Sequence, residues 1–591
     1  MNKIECDILV ALYRGGFANQ RELAEAAGCS LGSANKALKT LEAEQMIDSK
    51  FEITSKAKRL LCQNKPQRAV ILAAGYGTRM APINTDTPKG LLEAHGEKLI
   101  ERTLKQLHFA GINEIYIVVG YMKEKFEYLI DKYNVKLIYN KDYAEKNNLY
   151  SLKCAADYLE NAYIIPCDIR CEKNPYSEHE LYSWYMLSDE RDEKYGVEIG
   201  RNGEIVLDNN GKKQYKMIGI CYLNSEKSKS VRQKADMLCL DNSNNDLFWE
   251  ETLTNKNKMN IYAKVMSRFD IAEINTYEQL RDLDENSAHL KTKSIELICR
   301  VFDATSKDIT NIAVQKKGMT NRSFTFVCKG KKYIMRVPGE GTEFLINREN
   351  EAAVYSVINK TGICDNVIYI DPKTGYKITE FIDNTSVCNP FDENDVKEAM
   401  MFLKQFHSKK LKVSHTFDIF GQIEFYESLW QGKDSVFIDY KTTKNNVLSL
   451  KEYIDSHANE KVLTHIDAVP DNFLICKDGD KKFVKLIDWE YAGMQDPHVD
   501  IAMFAIYTGY NKEQLDKLID IYFEGACSEE NRIKIYCYVA CCGLLWSNWC
   551  EYKRNLGVEF GEYSLLQYRY AKEYYKKAKK CMEKLKGNEN E

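Results

Sequence analysis

Two hydrophobic periods alternate along the chain and mark out its elements. Near the start the period is helical. Ile4 to Tyr13 reads as an amphipathic helix closed by Gly15 and Gly16. Asn19 caps a second helix with Glu22 three residues on, and Gly28 turns the chain. Ser30 caps a third helix, Leu31 to Gln45, with Ala34, Ala37, Leu38 and Leu41 on its apolar face. Met46 to Thr54 predicts a hairpin, followed by a last helix to about Gln63. From Arg68 the pattern changes to short apolar runs separated by helical stretches. Arg68 to Ala74, Glu114 to Gly120, Val135 to Tyr139 and Tyr163 to Asp168 read as buried strands, with a helix from Lys98 to Ala110. Such alternation implies a doubly wound, largely parallel sheet with its ligand at the strand ends. A third pattern follows residue 292: strand, turn and strand from Gln315 to Val327, further strands at Tyr333 to Val337 and Ile378 to Ile382, and a helical segment at Tyr536 to Lys553.

At 591 residues, three or four domains are expected, and the breaks in pattern place them at 1–65, 66–292 and 293–591. A 44% hydrophobic and 29% charged composition is that of a folded soluble protein. The net charge of −4 gives no global electrostatic case for nucleic acid or membrane. No apolar run approaches the roughly 18 residues of a membrane span. Acidic residues interrupt the N-terminal stretch, so no signal peptide is expected there. Nineteen cysteines, an odd number scattered singly and without histidines at zinc spacing, predict reduced thiols in a cytoplasmic protein.

The chemistry concentrates between Val462 and Phe504. His465, Asp467 and Asn472 stand as H-x-D-x-x-x-x-N, and an apolar run from Val484 delivers Asp488. A carboxylate, an amide and a second carboxylate are what phosphoryl transfer from a nucleotide requires. One carboxylate takes the proton of the attacking hydroxyl, and the amide oxygen and second carboxylate hold Mg²⁺ on the phosphates. THIDAVPDNFLI and KLIDWEYAGMQDPHVDIA strongly resemble bacterial choline kinases, within the aminoglycoside phosphotransferase-like group. The resemblance implies a bilobal protein-kinase-like fold, Asp467 as base, Asn472 and Asp488 as Mg²⁺ ligands, Asp500 as a brace and His465 as scaffold. It assigns ATP to Asn321 and Ser323, which flank the Gly318-Met319-Thr320 turn, to Arg336 with Glu349 as its ion-pair partner, and to a hinge around Glu380 and Ile382. Trp546 and Trp549, three apart on one helix, resemble the choline-binding aromatic pair, with Tyr507 or Tyr510 closing the cage and Tyr568 near its last wall.

A second nucleotide site is written upstream. The first buried strand ends in Leu72-Ala73-Ala74 and runs into Gly75-Tyr76-Gly77-Thr78-Arg79. The glycines let the backbone approach a triphosphate, and Arg79 supplies positive charge for the leaving pyrophosphate. Ten residues on, Thr87-Pro88-Lys89 brings a lysine to the α-phosphate. LAAGxGTR followed by TPK resembles the nucleoside-triphosphate transferases that make NDP-sugars and CDP-alcohols. Asn147 to Leu152 (NNLYSL) is similar to bacterial CTP:phosphocholine cytidylyltransferases, which makes Asn148 and Ser151 candidates for CTP base or ribose contacts. The same resemblance gives Mg²⁺ the ligands Asp168 and Asn275, and gives phosphocholine the aromatic-acidic cluster containing Trp249 and Glu250.

Together these resemblances imply a fused enzyme that makes phosphocholine from choline and ATP, then CDP-choline from phosphocholine and CTP, for decoration of bacterial surface glycans. Ethanolamine or another amino alcohol is the alternative acceptor. Residues 1–65 resemble a winged helix-turn-helix, with Ser33, Asn35, Lys36 and Lys39 facing a DNA groove. Ten Lys/Arg against eight Asp/Glu there is a weak basis for DNA contact. The same fold also serves dimerisation or docking, so a homodimer and a choline-responsive regulator stay open.

Overall fold

The alternation of periods seen in the sequence becomes two compact units, Met1–Val314 and Gln315–Glu591. The computed structural model describes residues 1–83, 87–192, 195–207, 215–315, 321–339, 345–478, 481–558 and 560–588. The helix Lys3–Arg14 starts on a capping box in which Asn2 and Glu5 bond each other's backbone N–H. Gln20–Ala26 is capped by Asn19, and Leu31–Ala43 by Ser30. An isolated bridge between Ile47 and Ile53 makes the wing, and Ser55–Gln63 is the last helix. Ile8, Leu9, Leu38 and Leu41 form this domain's core.

The sheet that follows has the strands Lys136–Tyr139, Glu114–Val119, Arg68–Ala73 and Ala162–Pro166 side by side and parallel. Arg68–Ala73 lies between Glu114–Val119 and Ala162–Pro166, so the order reverses beside its end, which is where a doubly wound sheet opens a crevice. Alternate residues serve two cores: Ile71 and Ile117 face one, and Val70, Leu72 and Val118 face the other. The far half departs from the expected parallel order. Lys216–Leu223 runs antiparallel to Ala162–Pro166 and to Trp184–Ser188, and Lys258–Met266 runs parallel to Trp184–Ser188.

In the second unit, Asn321–Cys328, Lys331–Pro338, Lys377–Glu380 and Val367–Ile370 form an antiparallel sheet carrying one helix, Arg348–Ile358. The remainder is mainly helical around the hairpin of Phe473–Asp478 and Lys481–Leu486. Glu529–Asn555 and Glu562–Asn588 are its two long helices. All nineteen cysteines are free.

Candidate active sites

The first site forms where two strand ends meet. Ile169–Cys171 pairs with Ile271–Glu273, and the Ile274 N–H donates to the Asp168 carbonyl at 3.1 Å, so Asp168 and Asn275 flank one ladder. Lys89 makes an ion pair with Asp168, and its Nζ donates to Asn275 Oδ1 at 2.7 Å. Arg79 Nη2 donates to the same oxygen at 3.0 Å. Four residues chosen from separate motifs thus converge on one point. Asn275 is oriented from behind, its Nδ2 on Glu273 Oε1 at 2.5 Å and its N–H on Gln279 Oε1 at 2.6 Å. Lys216 joins Glu273 at 3.2 Å and was not singled out from sequence, because nothing near it in the chain marks a site. Gly77, at φ 60°, lies against the Lys89 side chain, where a Cβ would sit 3.4 Å from it. One carboxylate and one amide oxygen suit Mg²⁺, which takes one or two protein ligands and completes its shell with phosphates and water.

Glu250 lies against Gly219, which faces Pro166, two residues before Asp168. Tyr185 donates its hydroxyl to Glu250 Oε1 at 3.0 Å, while Oε2 is buried with no partner. Burial pushes the Glu250 carboxyl up to about 7. Trp249 does not share its role. Its ring is fully buried in the core beside Tyr185, because successive residues of the 3-10 turn Trp249–Thr252 stand about 120° apart and Trp249 is the one turned into that core. Asn148 spends its Oδ1 on the Trp249 N–H at 2.8 Å, and Ser151 is buried against Asn140 at 3.1 Å. Tyr76 packs beside Tyr121 and Tyr143, with ring centroids 4.9 and 5.1 Å away. Leu72, Ala73 and Ala74 are buried beneath the loop.

The second site is a cavity of about 490 Å³. Asp467, Asn472 and Asp488 line it together with Ser323, Arg336, Tyr507, Trp546 and Trp549. Asn472 Nδ2 donates to the Asp467 carbonyl at 2.8 Å and to its carboxylate at 3.2 Å. The Ile487 N–H donates to the Asn472 carbonyl at 3.0 Å and so draws Asp488 alongside. Ile466 has φ 70° and Asp488 φ 66°, both in the left-handed region where a β-branched residue is strained. The fully buried Asp500 holds that strain, accepting from the N–H of His465 at 3.0 Å and of Ile466 at 2.8 Å. His465 donates its Nε2–H to the Ile487 carbonyl, 3.0 Å away, and burial lowers its pKa, which suits a neutral scaffold residue. Burial, then the charges of Asp488 and Glu490, raise the Asp467 pKa well above the carboxylate range. Asn472 and Asp488 are again an amide and a carboxylate, a donor set that fits Mg²⁺.

Arg336 pairs with Glu351 and not with Glu349. Its two Nη groups reach the Glu351 carboxylate at 2.5 and 2.8 Å. Two positions on a helix are about 200° apart, so the cap at Asn347 turns Glu349 to solvent and Glu351 inward. Arg348 binds Glu351 at 3.1 Å and Glu490 at 3.4 Å, and Lys377 stands 3.6 Å from Glu351. At the hinge, the Glu380 N–H is taken by the Asn366 carbonyl at 3.0 Å, and Ile382 follows the strand end. Asn321 begins its strand, whereas Gly318, Met319 and Thr320 lie outside the described residues.

Trp546 and Trp549 stand with ring centroids 5.7 Å apart, and Tyr491 meets Trp546 edge-on at 5.6 Å. Tyr507 and Tyr563 complete the aromatic wall. Tyr568 does not belong to it. Its ring stacks on Phe437 at 3.8 Å and its hydroxyl donates to Asp439 at 2.8 Å. Five residues of helix separate Tyr563 from Tyr568, about 140° around the axis, so only the first faces the cavity. Tyr510 is likewise spent, its hydroxyl on the Pro390 carbonyl. Tyr491 was missed although it stands three residues past Asp488 within the motif itself.

Three stretches of the chain match families of known proteins. Residues 1–48 match a winged helix-turn-helix DNA-binding family, 69–174 a MobA-like NTP transferase domain and 312–540 a choline/ethanolamine kinase family. A choline-phosphate cytidylyltransferase of Streptococcus pneumoniae is 31% identical over 225 residues, 37% of this chain and 97% of the relative. A 2-aminoethylphosphonate cytidylyltransferase of Lancefieldella rimae is 30% identical over 38% of this chain and 94% of the relative. Protein LicA of Haemophilus influenzae is 28% identical over 42% of this chain and 95% of its own length.

Proposed function

Because the chain belongs to the bacterial choline-phosphate cytidylyltransferase family and carries a choline/ethanolamine-kinase domain behind it, we propose that it runs two consecutive reactions. The kinase unit phosphorylates choline with ATP, and the transferase unit joins phosphocholine to CMP from CTP, releasing pyrophosphate. The observation that carries this reading is the shared cavity in which Trp546, Trp549, Tyr491, Tyr507 and Tyr563 stand with Asp467. Aromatic faces attract a quaternary ammonium, worth up to about 2 kcal/mol when desolvated. The carboxylate in the same cavity receives the proton of the hydroxyl.

The two halves differ in their need for a base. Choline's hydroxyl is protonated at neutral pH, so Asp467 must accept its proton as the oxygen attacks. Phosphocholine's phosphate has a second pKa near 6 and is already an oxyanion, so its site needs alignment and charge. Lys89 and Arg79 supply positive charge for the α-phosphate and the leaving pyrophosphate. Mg²⁺, held by Asp168 and Asn275 in one unit and by Asn472 and Asp488 in the other, would neutralise phosphate charge when bound. Glu250, paired with Tyr185, meets the trimethylammonium head.

The fused kinase also favours one acceptor class. Phosphoryl transfer to a hydroxyl makes a phosphate ester and leaves no carbon–phosphorus bond, so a phosphonate is not its product. Phosphocholine for surface glycans is the use this reading favours. Incubating the full chain with ATP, CTP, Mg²⁺ and labelled choline should yield phosphocholine and then CDP-choline. Faster turnover of ethanolamine would overturn the choice of choline. Asp467→Asn should reduce the kinase step by about 10²–10⁴-fold and leave CDP-choline formation from added phosphocholine intact. Loss of both steps would show that the two reactions do not occupy separate sites.

A further inference from the structure

The winged helix is unused by either reaction, yet it is bound to the transferase at a particular place. Residues 172–183 connect the strand after Asp168 to the strand Trp184–Ser188 and contain no regular secondary structure. No ladder holds this segment; it is tied by the Glu172 N–H to the Asp270 carbonyl at 2.8 Å, by the Glu180 N–H to the Asn64 carbonyl at 3.4 Å, and by side chains. Five of these side chains reach the winged helix. Tyr182 donates its hydroxyl to Asp7 Oδ1 at 2.6 Å, and Arg14 Nη2 donates to Ser177 Oγ at 2.6 Å. Glu178 pairs with Lys65. His179 is buried, with Nδ1 3.2 Å from the Leu61 carbonyl and its ring edge-on to Tyr13 at 4.6 Å. Leu181 packs on the winged-helix core.

The other side of the segment leads into the acceptor site. Ser177 donates its N–H to the Tyr163 hydroxyl at 3.0 Å, and that hydroxyl donates to Glu180 at 2.9 Å. Tyr182 stacks edge-on against Tyr262 at 5.3 Å, and Tyr262 is paired in register with Trp184. Lys264 ties the Pro175 carbonyl at 3.0 Å and lies over the Trp184 ring at 3.9 Å. Tyr185, next in the chain, bonds Glu250. Trp184 and Tyr185 are laddered on both sides, to Tyr222 and Cys221 and to Tyr262 and Ala263, so the packing of Tyr182 on Tyr262 reaches Tyr185 through that ladder.

We propose that the winged helix is an internal brace for the acceptor side of the transferase, with Asp7, Arg14 and Tyr182 as positioning residues that set Tyr185 on Glu250. This rests on the reading of Glu250 as the phosphocholine carboxylate. Docking uses the first helix and the end of the last one. The third helix keeps Lys36 and Lys39 exposed, so the brace and any ligand of that face are compatible.

The test compares full-length Asp7→Ala, Arg14→Ala and Tyr182→Phe with wild type in CDP-choline synthesis from CTP and added phosphocholine. KM for phosphocholine should rise about 3- to 10-fold in each, with KM for CTP, kcat and the choline-kinase step within about 2-fold of wild type. Asp7→Glu, which keeps the acceptor for Tyr182, should recover most of the loss. Unchanged KM for phosphocholine, an equal rise in KM for CTP, or no recovery in Asp7→Glu would each overturn the brace. Tyr182→Phe deletes one hydroxyl, so it carries the comparison if an alanine variant fails to fold. If the wild type turns over another phosphoryl acceptor in place of phosphocholine, the substrate reading fails, and the same KM ratios taken with that acceptor decide the brace.

Discussion

Replacing Glu351 by glutamine keeps its volume and removes its charge from a buried cluster. The side chain is fully buried and faces Arg336, Arg348 and Lys377, whose own exposures are all below a tenth. Breaking one partner of a buried pair costs about 3–5 kcal/mol, because the remaining charges stay desolvated. An independent route gives a similar figure. Burial alone would raise the Glu351 carboxyl, but Arg336 and Lys377 overcome it and hold it at about 2 against an ordinary 4.5. At about 1.4 kcal/mol per unit that is roughly 3 kcal/mol. The depressed value means this stabilisation is fully present above the unfolded pKa and is lost as pH falls toward 2. Tryptophan fluorescence during urea unfolding reads it, since Trp430, Trp489, Trp546 and Trp549 all lie in this unit. With a slope of about 1–3 kcal/mol per molar urea, the midpoint should fall by about 1–3 M. KM for ATP should also rise, because Arg336 loses the carboxylate that aims it into the cavity. Glu349→Gln should shift neither. A Glu351→Gln midpoint equal to wild type, or an equal loss from Glu349→Gln, refutes the assignment of the pair.

Trp549→Leu should raise KM for choline by about 10-fold, corresponding to about 1–2 kcal/mol of cation–π attraction, and change KM for ethanolamine less. Tyr568→Phe should leave both unchanged while costing about 1 kcal/mol of stability for its hydroxyl bonds; a choline KM effect there would return Tyr568 to the cage. Tyr507→Phe keeps the aromatic face but removes the 2.7 Å bond to Asp471, next to Asn472. Steady-state kinetics should then show lower kcat at unchanged KM for choline. Glu250 is protonated below about 7 in the empty site, so KM for phosphocholine should fall as pH rises through that value. Glu250→Gln should remove this step and keep only the substrate's own titration near 6. A step that persists in the variant would assign it to another group.

The chemistry carried by short loops was legible in the residues alone. Gly75 to Arg79, Lys89, Asp168, Asp467, Asn472 and Asp488 each sit at a strand end or tight turn, where spacing of a few residues dictates which atoms face the ligand. In the fold, Lys89 and Arg79 converge on Asn275, and Asn472 bonds Asp467. Helices and turns were harder, because a step of one residue rotates a side chain by about 100°. Glu349 and Glu351 are equally good partners on paper, as are Tyr563 and Tyr568, and Trp249 and Glu250 are adjacent in the chain. Which of each faced inward depended on the cap at Asn347, on the packing of Glu562–Asn588 and on the core beneath Trp249. Contributions from distant segments, such as Tyr491 joining Trp546 or Asp7 meeting Tyr182, leave no local signal at all. They exist only once burial of apolar faces brings separate stretches within hydrogen-bonding distance. The sequence by itself thus determined the two phosphate chemistries, and tertiary packing decided the walls around them and the surface to which the winged helix is bound.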